Sequence, residues 1–295
     1  MEETALKKFY WVIILKILTL LTCLCFTQLA FSSAKVCKNE SEGIIEVQSD
    51  LKFYGSKSDL GPGCAEEISK MFNEPKGELK IGNKSYKVKF KISHQVVTEE
   101  QTRGSTSING RVENNYIRIE EKAFNDKDGR SNNEIRQNCG FYSGADGLGT
   151  STTCAHEFAH SLGLVHYDDR PENKKKSMEG ADIRGTGQPG IMAARGFIVD
   201  PKYQYNAKAR AGGPGGTINP ALRKVKWQDI VDLKLDRLTF DSSGCARLGV
   251  ASNTVYKADG SIMEPKKWGV LLGTLDYITS GLVGNAPISC EIQKK

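Results

Sequence analysis

The chain has 295 residues, 39% hydrophobic and 26% charged, the composition of a water-soluble globular protein long enough to bury a sizeable core. Its formal charge of +6 is spread out, with no long basic block beyond the short Lys174-Lys175-Lys176 run, so composition gives no footing for a nucleic-acid partner. No internal repeat is visible and no low-complexity tract exceeds a loop, which excludes solenoid and fibrous classes.

Residues 1–34 read as a targeting segment. Lys7 and Lys8 precede a mostly apolar stretch from Phe9 to Phe31, broken by Lys16, and Ser32-Ser33-Ala34 offers small residues for signal-peptidase cleavage. Secretion, or export to a periplasm, follows. The competing reading is a retained membrane anchor, because the stretch is long enough to span a bilayer. Cleavage after Ala34 removes Cys23 and Cys25 and leaves Cys37, Cys64, Cys139, Cys154, Cys245 and Cys290, an even set suited to disulfides in an oxidising compartment. The pairing stays open. Joining neighbours, 37 with 64, 139 with 154 and 245 with 290, is the preferred guess.

Further along, residues 44–54 predict a first strand. Leu60 to Asn73 places Leu60, Cys64, Ile68, Met71 and Phe72 on one helical stripe, with Asp59 as cap and Pro75 as stop. Residues 85–93 alternate strictly, Tyr86, Val88, Phe90 and Ile92 against Lys87, Lys89 and Lys91, and predict a half-buried strand; 114–121 predicts another. The polar run 125–134 is a loop whose oxygens could hold a structural calcium ion, although Asp126, Asp128 and Gly129 miss the EF-hand spacing and a solvated loop is the plainer reading. Gly140 to Gly149 could present an edge strand to an extended ligand. After the Gly-rich loop 206–217, Asn219-Pro220 predicts a cap and first-turn proline, with a helix carrying Trp227, Ile230 and Val231 to follow. From about Arg237, short apolar runs between turns predict a small β-rich extension.

The stretch 154–168, "CAHEFAHSLGLVHYD", holds three of the four histidines. On a helix His156 and His160 lie about 40° apart and one turn along, so both rings share a face. His166 on the same helix would point away, roughly 9 Å further and about 240° round. Gly163 can take positive φ, end the helix and turn the chain back. His166 then completes three nitrogen ligands with an open fourth position, the arrangement of a catalytic rather than a structural zinc. Glu157 is left over as a base able to take a proton from a water at that position. Asp168 and Asp169 could orient a ligand histidine, although exposed loop carboxylates are the plainer reading, and His94 reads as structural.

The extended pattern H-E-x-x-H-x-x-G-x-x-H resembles that of the metzincins, zinc endopeptidases named for it and for a methionine turn beneath the metal. The resemblance implies a methionine in a tight turn downstream, and Gly190-Ile191-Met192 supplies one. It implies an α+β fold: a twisted mixed sheet with an active-site helix and a further helix packed on it. The likeness is specific at 156–166 and 190–192 and loose elsewhere across 44–235. No subfamily follows, since Tyr167 follows the third ligand and Ala194 stands where astacins and serralysins carry a tyrosine that assists the transition state. The expectation is a leader (1–34), a catalytic domain (35–236) and an extension of unassigned role (237–295). Its activity would be hydrolysis of a protein or peptide substrate by zinc and Glu157. The alternatives are a zinc amidase acting on an amide such as a peptidoglycan cross-link, and a non-catalytic zinc-stabilised binding protein.

Overall fold

A computed structural model describes residues 32–106, 113–171, 187–249 and 255–263. Strand β2 (Ile44–Tyr54) is its spine: Ile45, Val47, Leu51 and Phe53 alternate inward and are fully buried. Around it run β1 (Ser32–Asn39), β3 (Glu78–Ile81), β4 (Lys84–Val96), β5 (Asn114–Glu120), β6 (Asn132–Asn133), β7 (Cys139–Ser143) and β8 (Cys245–Gly249). The order is β3-β4-β2-β5-β7-β6, with β4, β2, β5 and β7 mutually parallel and β3 and β6 antiparallel at the two ends. Strand β2 changes neighbour part-way: its first half pairs antiparallel with β1 and its second half parallel with β5, so the mixed sheet curls. The other side of β1 pairs with β8, which brings a strand from beyond Arg237 into the main sheet.

The fold is α+β, as expected, with few helices. The apolar stripe predicted on α1 (Gly61–Asn73) is buried at Cys64, Ala65, Ile68, Met71 and Phe72. Phe72 packs between Phe90 of β4 and Phe158, at ring-centroid distances of 4.8 and 5.3 Å. Asp59 does not cap this helix; it sits in a 3-10 turn, Ser58–Leu60, and Pro62 occupies the first turn of α1. Helix α2 (Glu99–Thr106) precedes β5, α3 (Thr153–Ser161) carries the first two histidines, and α4 (Trp227–Asp232) closes the core with Ile230. The alternation in β4 is as predicted, with Tyr86 and Phe90 buried and Lys87, Lys89 and Lys91 exposed.

Asn219-Pro220 starts only a single 3-10 turn, Pro220–Leu222, with the Asn219 side chain accepting from the Ala221 amide at 3.1 Å. The chain then extends, because the Lys224 amide donates to Pro189 O at 3.0 Å and bridges to the segment around Met192 before α4 begins. A hairpin of β9 (Val255–Tyr256) and β10 (Ile262–Met263) is held by Tyr256, whose ring lies 5.8 Å from Phe141 and whose carbonyl accepts from the Tyr54 hydroxyl at 3.1 Å.

The disulfides overturn the neighbour pairing. Cys37 is joined to Cys245 and Cys64 to Cys154, and Cys139 is bonded to a cysteine outside the described residues. Strand pairing sets the first bridge directly opposite, Cys37 against Cys245 across β1 and β8; packing of α1 on α3 sets the second. Sequence distance was the wrong guide, since the bonded residues are 208 and 90 positions apart. The leader lies outside the described residues up to Phe31, while Ser32, Ser33 and Ala34 open β1. Among the described residues no helix is long and apolar enough to cross a membrane. Cys290 and the Lys174-Lys175-Lys176 run also fall outside them.

Candidate metal centre

Helix α3 enters from Thr152, a non-glycine residue at φ 64° whose side chain makes no capping bond. The free amides of its first turn find a partner elsewhere: Glu67 on α1 accepts from the Ala155 N–H at 3.0 Å. This carboxyl is buried, and burial raises its pKa. Together with the Cys64–Cys154 bridge it fixes α3 against α1 just ahead of His156.

The other end of α3 is closed by a complete Schellman motif. Gly163 at φ 103° donates to His160 O at 2.8 Å, and Leu164 donates to Ala159 O at 3.0 Å. The Arg136 amide also donates to His160 O, at 2.9 Å, and the Arg136 side chain lies over the glycine so closely that a Cβ there would stand 2.9 Å from its Cγ. The chain therefore reverses at Gly163, as its position in the sequence suggests, and returns His166 to the face of α3.

Three imidazoles meet there. His166 Nε2 is 3.1 Å from His156 Nε2 and 3.2 Å from His160 Nε2. Nitrogens bound at about 2.0–2.1 Å to a tetrahedral ion stand about 3.3–3.4 Å apart, so the tripod has the dimensions of a metal seat. Each ring is aimed from behind. His156 Nδ1 faces Ile191 O at 2.7 Å, His160 Nδ1 faces Leu164 O at 2.8 Å, and His166 Nδ1 faces Asp169 Oδ2 at 3.6 Å. At His160 the Leu164 carbonyl holds a proton on Nδ1 and leaves the Nε2 lone pair free for an ion, whereas His156 Nδ1 faces both the Ile191 carbonyl and a donor, Arg223 Nη1, at 2.7 Å. Burial, then the neighbouring positive charges, pushes the His156 pKa well down, and burial with His166 pushes that of His160 to about 3. Both are neutral ligands at neutral pH, and metal entry need displace no proton from them. The His166 side chain is 33% exposed, so the seat is reached from solvent on its side.

Met192 lies in a tight turn closed by the Ala193 amide on Gly190 O at 3.1 Å, and it is buried. Its carbonyl accepts from the Tyr167 N–H at 3.1 Å, directly after His166, while Ile191 holds His156; the turn thus touches two arms of the tripod. Glu157 is buried beside His156 and is not one of the three clustered ligands. Burial raises its pKa to about 8, with Arg223, Arg195 and the backbone N–H of Asn133 pulling the other way.

The sequence reading missed Arg223 and Glu67. Arg223 is 3% exposed, with Nη1 2.7 Å from His156 Nδ1 and 3.2 Å from Ala193 O, and Nε 3.2 Å from Thr152 Oγ1. It stitches the start of α3 to the Met192 turn. Nothing local marks it, for in "PALRKV" it reads as one surface cation among others. Asp169, not Asp168, backs His166, although a solvated loop carboxylate was the plainer expectation. Strand β7, expected at an edge in the Gly140–Gly149 stretch, is flanked on both sides, because Asn132-Asn133 folds back as β6 against Gly140; a Cβ on Gly140 would strike the Asn133 side chain. The 125–134 loop forms no metal cluster among the described residues: Asp126 accepts its own loop's amides at 2.9 and 3.2 Å, and Asp128 pairs with Arg130.

No protein-family model matches this chain, and no curated protein matches it at a significant level.

Proposed function

We propose that the chain is a secreted zinc endopeptidase of the metzincin type. The observation that carries this reading is the tripod of Nε2 atoms at 3.1 and 3.2 Å with a buried carboxylate, Glu157, left outside it. Three imidazoles without thiolate or carboxylate suit zinc among the divalent ions. Zinc in such a seat supplies Lewis acidity, acidifying water and polarising a carbonyl. A cation in the seat would draw the pKa of Glu157 below its metal-free value of about 8, and its carboxylate would then take the proton of the attacking water and deliver it to the leaving amine nitrogen. Its carboxylate accepts from the Asn133 N–H on β6, so the base stands beside the outer edge of the sheet, where an extended peptide can add as a further strand. The Met192 turn, Leu164 and Asp169 orient the three rings, and Arg223 ties the turn to α3.

The test is metal content together with peptide-library cleavage for the exported protein and its Glu157→Gln variant. One zinc per chain in both, with cleavage only in the wild type, is the expected result; equal turnover in the variant would remove Glu157 as the base. A metal-loaded protein that cuts peptidoglycan cross-links but no peptides moves the reading to the amidase. One that is inert on both moves it to a binding protein.

A further inference from the structure

The folded unit of this chain starts earlier than the small-residue pattern alone suggests. Strand β1 is already paired at Ser32, opposite Gly249 of β8. Ser33 and Ala34 are fully buried. The Ser33 hydroxyl donates to Ser161 O at 2.7 Å, the last residue of α3, and the Ser33 carbonyl accepts from the Asn115 side chain at 2.9 Å and the Ser49 hydroxyl at 3.2 Å. Cutting after Ala34 would discard all three bonds. It would leave the Ser161 carbonyl and the Asn115 amide without these partners inside the protein.

Resting on the reading of the leader as an export signal, and independent of the hydrolase reading, we propose that signal peptidase cuts between Ser32 and Ser33. That bond has Ala30 and Ser32 at the third and first positions before it, an A-x-S pair of the small-residue kind the peptidase accepts. The mature chain then keeps Ser33 as the residue that fastens the C-terminal end of the metal helix to β1. Leader removal and the end of α3 are coupled through one hydroxyl: two residues fewer and the Ser161 carbonyl loses its bond to β1, while the Cys64–Cys154 bridge and Glu67 still hold the start of the helix.

The experiment is intact mass and N-terminal sequencing of the protein recovered outside the producing cell. A chain beginning at Ser33 is expected; one beginning at Lys35, or one retaining residues 1–34, overturns the proposal. Ala30→Tyr separates the two sites, since Ala30 is at the recognised third position only for the cut before Ser33. The Ser33 start should disappear in that variant, replaced by uncut precursor or by a start at Lys35, and an unchanged Ser33 start would count against the proposal. Chains refolded from Ser33 and from Lys35 should differ by several degrees in Tm, with the Lys35 chain weaker in zinc affinity as well. Identical melting and affinity would overturn the coupling.

Discussion

Replacing Gly163 by alanine tests the bend on which the tripod depends. At φ 103° an L-residue is strained wherever it sits, and the new Cβ would also stand 2.9 Å from Arg136 Cγ and 3.1 Å from its Nε. Backbone in such a region costs about 1–3 kcal/mol. If the chain relieves that strain by unwinding the Schellman turn, His166 leaves the cluster and the metal-bound state loses the same free energy. That converts to roughly a 5- to 150-fold weaker metal affinity. Competition with a chelator of known affinity measures it, with circular dichroism to confirm that the variant is folded. Arg136→Ala added to Gly163→Ala removes the side-chain clash but not the backbone strain, so it should recover part of the loss and not all. Wild-type affinity in Gly163→Ala would refute the claim that positive φ at this residue brings His166 round.

Three further outcomes follow from the same geometry. His160→Ala should abolish stoichiometric metal binding while Glu157→Gln retains it, and the latter should lower turnover by about 10²- to 10⁴-fold, read by metal analysis and initial rates. Glu67→Leu removes the acceptor of the buried Ala155 amide and should destabilise the fold by about 1–3 kcal/mol in urea melts, whereas Glu67→Gln, which keeps an acceptor oxygen, should lose much less. In metal-free Glu157→Gln protein, His156 and His160 stay neutral when folded but take up protons near the ordinary value of 6.5 when unfolded. Stability is therefore complete above about pH 6.5 and falls as pH drops toward 3, by up to about 1.4 kcal/mol per pH unit for each ring. Wild-type metal-free protein should show a shallower slope between 4.5 and 6.5, because folded Glu157 keeps its proton up to about 8 and its contribution runs the opposite way, lost as pH rises. Urea midpoints at about pH 7.5 and about pH 5.5 decide the sign; equal midpoints in the Glu157→Gln protein would contradict it.

What could be read without coordinates was whatever repeats locally. Alternation in 85–93 and the stripe from Cys64 to Phe72 are imposed by neighbours two to four residues away, and both came out as strand and helix. The cluster of His156, His160 and His166 was legible for the same reason, since a helical repeat and one glycine fix it. Features made by distant partners were not. Cys37 and Cys245 meet only because β1 and β8 pair, Glu67 caps α3 from another helix, and Arg223 is buried because α3, the Met192 turn and the 220s converge on it. The helix expected to carry Trp227, Ile230 and Val231 forms, but it starts at Trp227 and not at Pro220 for a comparable cause: the Lys224 amide is claimed by Pro189, a bond that local propensity cannot foresee.

Strand β1 is among the first folded residues to be synthesised, yet one of its two flanks is supplied by β8, near the other end of the chain. A growing chain still short of β8 therefore has that flank bare and Cys37 without its disulfide partner, and the sheet closes on that side only once residues 245–249 have joined it.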